Sequence, residues 1–178
     1  AVAHSEQLIN DGADIIDIGG ESSRPGATPV TEKEELRRII PVIKDLRDNN
    51  SKILISVDTT KSNVASTALQ AGADIVNDIS GLSFDAEMIE VVRKFEAPIV
   101  IMHMKGNPQN MQLSPKYDNI IEEISLFFHE RIRLLINKGI SKKSIIIDPG
   151  IGFGKTTKNN FELINRLSDF DVFDLPIM

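Results

Sequence analysis

The chain has 178 residues, 41% of them hydrophobic and 26% charged, with a net charge of −6. That balance suits one soluble domain with a sizeable core and argues against nucleic acid or an anionic membrane as the main partner. With no cysteine there can be no disulfide framework, thiolate metal site or Cys nucleophile. No apolar run approaches the roughly 18 residues of a membrane span, and no basic-then-apolar leader pattern opens the sequence, so the expected setting is cytoplasmic.

Residues 2–10 carry a short helical pattern closed by Asp11-Gly12. Residues 14–20, D-I-I-D-I-G-G, read as a strand in which period-two alternation puts Asp17, Gly19 and Glu21 on one side. A polar loop occupies 21–29. Thr31 and Glu34 then give a T-x-x-E capping signal for a helix striped by Leu36, Ile39, Ile40, Ile43 and Leu46. Residues 53–58, I-L-I-S-V-D, form a second apolar strand ending in a carboxylate, and a short helix through Val64 and Ala68 closes at Gly72. G-A-D-I-V at 72–76 echoes G-A-D-I-I at 12–16, as expected when one βα unit is reused, and the third strand ends near Asn77-Asp78. A helix over 88–95, a strand over 98–102, a long amphipathic helix over 120–136, a strand over 145–148 and a helix through Phe161 and Leu167 complete the pattern. Residues 175–178 open another strand.

Strands alternating with helices, and apolar on both faces, predict a parallel sheet covered by helices, an α/β fold. Polar residues close strand after strand: Glu21, Asp58, Asn77, His103 and Asp148. A (β/α)₈ TIM barrel would bring these ends to one rim, whereas an open doubly wound sheet would gather only two or three loops at a switch point. The barrel is the favoured reading. Five strands and the start of a sixth fall short of eight, so the expectation is an incomplete barrel, a single partial domain over 1–178, lacking the first strand and the last βα units.

Residues 145–155, I-I-I-D-P-G-I-G-F-G-K, read as a buried strand that runs into a carboxylate and a Gly-rich turn. Pro149 has no N–H and stops the strand at Asp148, leaving that carboxylate at the sheet's rim. A phosphate-cradling G-x-x-x-x-G-K-[ST] fails because its first glycine falls on Pro149. A dinucleotide G-x-G-x-x-G fails because Gly150, Gly152 and Gly154 are spaced G-x-G-x-G. A rim carrying Asp58, Asn77 and Asp148 suits a flat aminated heterocycle, since carboxylates accept paired N–H bonds and Asn offers both a donor and an acceptor. Phe153 or Met102 could cover the ring's face.

D-I-G-G-E-S-S-R-P-G-A at 17–27, S-V-D-T at 56–59, N-D-I-S at 77–80, M-H-M-K-G-N-P at 102–108 and D-P-G-I-G-F-G-K at 148–155, in this order, together resemble the dihydropteroate synthase family. The resemblance implies condensation of a dihydropterin hydroxymethyl diphosphate with 4-aminobenzoate, giving dihydropteroate and pyrophosphate in folate synthesis. It assigns Asp58, Asn77, Met102 and Asp148 to the pterin, with Asp58 and Asp148 as the catalytic pair. Ser23, Arg24, Pro25 and Phe153 fall on the aminobenzoate side. It further implies Mg²⁺ acting through the diphosphate, with ligands outside these residues, sensitivity to sulfonamides as a family property, and it allows a homodimer. The family's first-strand loop and its late Ser-Arg-Lys, Arg and His segments have no counterpart here, so the chain alone is expected to be inactive.

Plainer readings stand beside these. Asp58 and Asp148 could cap the turns that follow them, and Asn77 could bond loop backbone. Asp17, inside an apolar strand, is expected in a buried polar network, because an unpaired carboxylate there costs several kcal/mol. Arg24 could be a solvated loop residue, His103 is expected to be structural, and Lys155 is expected to be solvated. At the level of function, a pterin- or methyltetrahydrofolate-binding barrel serving a methyltransferase, or a non-catalytic fragment, are the alternatives.

Overall fold

A computed structural model describes residues 1–49 and 52–178. Five strands, β1 (Ile15–Gly19), β2 (Leu54–Asp58), β3 (Ile75–Asp78), β4 (Ile99–Met102) and β5 (Ile145–Asp148), lie in the order β1-β2-β3-β4-β5. Every neighbouring pair is parallel. The connections are α1 (Val2–Asn10) before β1, then α2 (Glu32–Asn49), α3 (Ser62–Gln70), α4 (Met88–Phe95), α5 (Ile120–Asn137) and, after β5, α6 (Thr157–Asn165). Among the described residues each strand pairs with its neighbours in sequence order, so this sheet shows no reversal of order and no switch point there. The sheet is an arc of a (β/α)₈ barrel. The 175–178 segment continues it: Ile177 bridges Ile147 in parallel, with Ile147 N–H donating to the Pro176 carbonyl at 3.0 Å and Met178 N–H to the Ile147 carbonyl at 2.9 Å.

The core lies between the convex side of the sheet and the helices. Ile16, Ile18, Ile55 and Val57 meet Ile39, Ile43 and Leu46 of α2, and Phe128 of α5 packs edge-on against Phe170 and Phe173 with centroids 5.8 Å apart. Burying each such side chain contributes about 1.5–3 kcal/mol, which is why the helical stripes are continuous. The concave side differs. Ile15 and Leu54 are 46% and 44% exposed there, so the arc's inner face is open at the β1 end.

Register decides what shares that inner face. Gly19, Asp58, Asn77, Val100 and Ile146 form one row across the five strands, and Met102 pairs with Asp148 one step nearer the strand ends. Asp17, Ser56 and Ile75 form the row below. Paired positions in a parallel ladder point the same way, and alternate positions along a strand return to the same face. The strands ended where expected, except that Pro98, with no N–H to give, precedes β4 rather than opening it. The T-x-x-E signal is half used: Thr31 Oγ1 accepts from Glu34 N–H at 3.3 Å, while the Glu34 carboxylate turns outward to Arg37 and Arg38.

Candidate functional site

Asp58, Asn77, Met102 and Asp148 share the concave face at the C-terminal ends of β2, β3, β4 and β5, so the sequence reading placed these four on one side of one rim. Their states differ. The Asp58 carboxylate accepts no hydrogen bond among the described residues. Burial, then the like charges of Asp17, Glu35, Asp78 and Glu21, push its pKa up to about 7. Such a group gains strongly from any cation or N–H donor that reaches it. Asn77 is 5% exposed; its Nδ2 donates to Asp17 Oδ2 at 3.2 Å, which fixes the amide's orientation and leaves Oδ1 buried without a partner. A buried acceptor left unpaired costs about 1–3 kcal/mol, and a ligand N–H would recover that loss.

Asp148 combines the two readings made of it. Its Oδ1 accepts Gly150 N–H at 2.7 Å, a turn cap, while no described group bonds its second oxygen. Burial raises its pKa, opposed by the Gly150 N–H and by the charge of Lys155. Met102, 2% exposed, backs this part of the face. The turn after β5 is pressed against the end of β4: a Cβ on Gly150, where φ is +68°, would sit 2.1 Å from the His103 carbonyl oxygen, and one on Gly154 would sit 2.7 Å from that of Lys105. The glycines therefore serve close backbone approach rather than phosphate binding.

One expectation is corrected. Lys155 is not solvated: it is 3% exposed, with its ammonium held by the Phe153 carbonyl at 2.9 Å, the His103 carbonyl at 3.0 Å and His103 Nδ1 at 3.2 Å. The curvature that folds the turn back onto β4 supplies these acceptors, and no local pattern reports it. Asp17 joins the polar network expected of it: its Oδ2 accepts from the Nδ2 of buried Asn77, and burial raises its pKa against the hydrogen bonds of Ser56 and Asn77, although part of the residue reaches the open concave face. His103 is structural, as expected. It packs edge-on against Phe127 at 5.1 Å, and burial followed by the charges of Lys155 and Lys105 lowers its pKa to about 3, keeping it neutral.

Loop 21–29 borders a cavity of about 210 Å³ beside Asp58, lined by Glu21, Ser22, Ser23, Lys61, Phe84 and Gln109 among others. Ser23 is half-buried there, while Arg24 and Pro25 are exposed, and Phe153 is half-buried on the β5–α6 turn. Glu21 is occupied: its carboxylate pairs with the Lys61 ammonium, which also meets Glu35 at 2.5 Å. Glu35, fully buried, accepts from Thr59 Oγ1 at 2.6 Å. The sequence reading passed over Glu35, although it stands four residues before Ile39 on the buried stripe of α2. With Glu21 and Glu35 so committed, and no group of three His, Asp or Glu among the described residues placed to hold a metal ion, these strand ends do not fit Mg²⁺ as a directly held ion.

The whole of 1–178 matches the family model described as pterin binding enzyme. The dihydropteroate synthase of Synechocystis sp. is 46% identical over 178 residues, covering 100% of this chain and 61% of that protein. A Yersinia pestis dihydropteroate synthase solved as a sulfonamide complex superposes with a TM-score of 0.94 at 41% identity over 98% of this chain and 63% of its own. A Xanthomonas albilineans dihydropteroate synthase with 4-aminobenzoic acid gives 0.92 at 41% identity, over 99% and 62%. The chain thus spans a little over three fifths of the relatives it matches, and among its described residues no helix is long and apolar enough to cross a membrane. The chain belongs to the pterin-binding enzyme family.

Proposed function

We propose that this chain is the pterin-holding part of a dihydropteroate synthase, a transferase that joins (7,8-dihydropterin-6-yl)methyl diphosphate to 4-aminobenzoate in folate synthesis. The observation that carries the reading is the set of acceptors on one face left unfilled among the described residues: Asp58 with no hydrogen bond, Asn77 Oδ1 buried and unpaired, and the second oxygen of Asp148. A pterin edge presents N–H donors in the same plane, and each charge-assisted bond is worth about 1.5–3 kcal/mol.

In this mechanism the exocyclic C–O bond breaks and its electron pair leaves with pyrophosphate. The aminobenzoate nitrogen then forms the new C–N bond and sheds a proton. Asp58 and Asp148, already placed and short of donors, stabilise the positive charge that develops on the ring when the C–O bond breaks, so their role is electrostatic and not proton transfer. Mg²⁺ would assist the leaving group and travel with the diphosphate; no step is assigned to it on these residues. Ser23, Arg24, Pro25 and Phe153 are proposed for the aminobenzoate side, in support of which Ser23 lines the cavity next to Asp58. The domain is proposed as one partial barrel over 1–178 in a cytoplasmic, homodimeric enzyme.

Calorimetric titration of the chain with 6-hydroxymethylpterin tests the reading. Binding should be observed, should weaken about 10- to 100-fold with Asp148→Asn, and should resist methyltetrahydrofolate more than it resists a sulfonamide with pyrophosphate. Equal binding by the Asp148→Asn variant would remove this carboxylate as the ring's anchor. Turnover, followed as 4-aminobenzoate-dependent pyrophosphate release, is expected to be absent from these 178 residues alone.

A further inference from the structure

Lys155 is the most deeply buried lysine of the site region and, among the described residues, has no carboxylate within bonding distance. Its three N–H bonds are all used, on two backbone carbonyls and one imidazole nitrogen. Because the ammonium donates to Nδ1 of His103, the proton of that neutral ring sits on Nε2. These bonds tie the carbonyl of Phe153, on the turn after β5, to the end of β4. A neutral amide could make most of them without the cost of burying a charge. The charge itself therefore needs a reason: His103, whose carbonyl holds the ammonium at 3.0 Å, gives its own backbone N–H to the Asp148 carbonyl at 2.9 Å, so Lys155 stands at the end of β5, and the acid whose charge acts on it is Asp148.

We propose that Lys155 is a positioning residue for the pterin site, acting as the internal counter-charge that keeps Asp148 ionised when a ring covers it, and as the strut that sets Phe153. The proposal rests on the pterin reading above. A pterin seated on Asp148 removes the remaining water from that carboxylate, which by itself would favour its protonated form and weaken the charge-assisted bonds. A positive charge at the end of β5, itself sheltered from solvent, offsets that desolvation without taking up an oxygen of the carboxylate. Burial lowers Lys155 to about 7 and raises Asp148, and each opposes the other's shift. The remaining charged or titratable groups around the pair are His103 and Lys105 at the end of β4, Tyr117, whose hydroxyl donates to the Gly154 carbonyl at 2.8 Å, and Glu123, which pairs with Lys105 at 2.9 Å.

The linkage is reciprocal, and the ligand-free chain can report it by NMR titration of the Asp148 carboxyl carbon and the Lys155 ε-carbon. Asp148→Asn should lower the Lys155 midpoint by about one pH unit. Lys155→Met should raise the Asp148 midpoint by a similar amount, and Lys155→Arg should leave it in place. Pterin affinity of Lys155→Met should then fall more at pH 6 than at pH 8, because Asp148 is the group being protonated. If Lys155→Met does not fold, Asp148→Asn still decides. An unmoved Lys155 midpoint in the folded Asp148→Asn chain overturns the proposal, as does an affinity loss in Lys155→Met that is uniform with pH. A wild-type chain that binds no pterin at any pH, while the reciprocal shifts persist, would instead sink the pterin reading and leave the counter-charge intact.

Discussion

The two ends of the concave face treat the same chemical feature in opposite ways. At β2 and β3, Asp58 stands among like charges with no hydrogen bond among the described residues and a pKa near 7. At β4 and β5, Asp148 has a backbone N–H on one oxygen and a buried ammonium whose charge acts on it. Both are strand-end carboxylates preceded by apolar residues, and nothing in I-S-V-D or I-I-I-D distinguishes them. One is held as an acceptor without a donor, and the other has one oxygen bonded and one left open. A ring that reaches both would meet a carboxylate already oriented by its own turn on one side and, on the other, a group whose charge the ring itself must draw out.

The largest break in that contrast should come from Gly150→Ala. The added Cβ would lie 2.1 Å from the His103 carbonyl oxygen in a left-handed backbone conformation, so the turn must leave β4 and take Asp148 and Lys155 with it. A loss of roughly 3 kcal/mol or more is expected, read from the urea midpoint. Next, Asp148→Asn should weaken 6-hydroxymethylpterin by about 10- to 100-fold in calorimetry, the worth of one charge-assisted bond.

Asp58→Asn should weaken the same ligand while stabilising the empty chain at pH 8 by about 1–2 kcal/mol, allowing for solvent screening at the open rim. The sign follows from a folded-state pKa near 7 against a model value of 3.8. The contribution of Asp58 is fully favourable below its unfolded value and is lost as pH rises through about 7. Urea midpoints at pH 5 and pH 8 should therefore differ less in Asp58→Asn than in the wild type. Equal differences would mean that Asp58 is not the strained acid. The smallest effect belongs to Lys105→Ala, which removes a surface ion pair with Glu123; about 0.5 kcal/mol of stability should go, and the Asp148 midpoint should hardly move.

Much of this was readable before any coordinates. The stripes on α2 and α5 and the apolar strands gave the layers, since burial writes its period directly into sequence. Strand-end positions gave Asp58, Asn77 and Asp148, because a residue that ends a parallel strand is at the rim by construction. What escaped depended on bending in three dimensions. Lys155 looked solvated at the end of a Gly-rich turn, yet that turn folds back onto carbonyls some fifty residues away in sequence. Asp17 was legible as a network residue because a carboxylate among apolar strand neighbours needs a partner, and Asn77 supplies it. A capping box was found at Thr31 and half realised, while the complete one, Thr156 with Asn159, went unnoticed because Asn replaces the usual Glu or Gln.

The strictly sequential strand order also bears on how the chain comes to be folded. Among the described strands, each from β2 to β5 finds a partner in the preceding βα unit. Loop closure is then short at each step, and the arc can grow from the N-terminal units outward as they emerge during synthesis. The acceptors on Asp58 and Asn77 would be assembled before the turn bearing Asp148 and Lys155 exists, so the part of the site left short of donors is also the first to form.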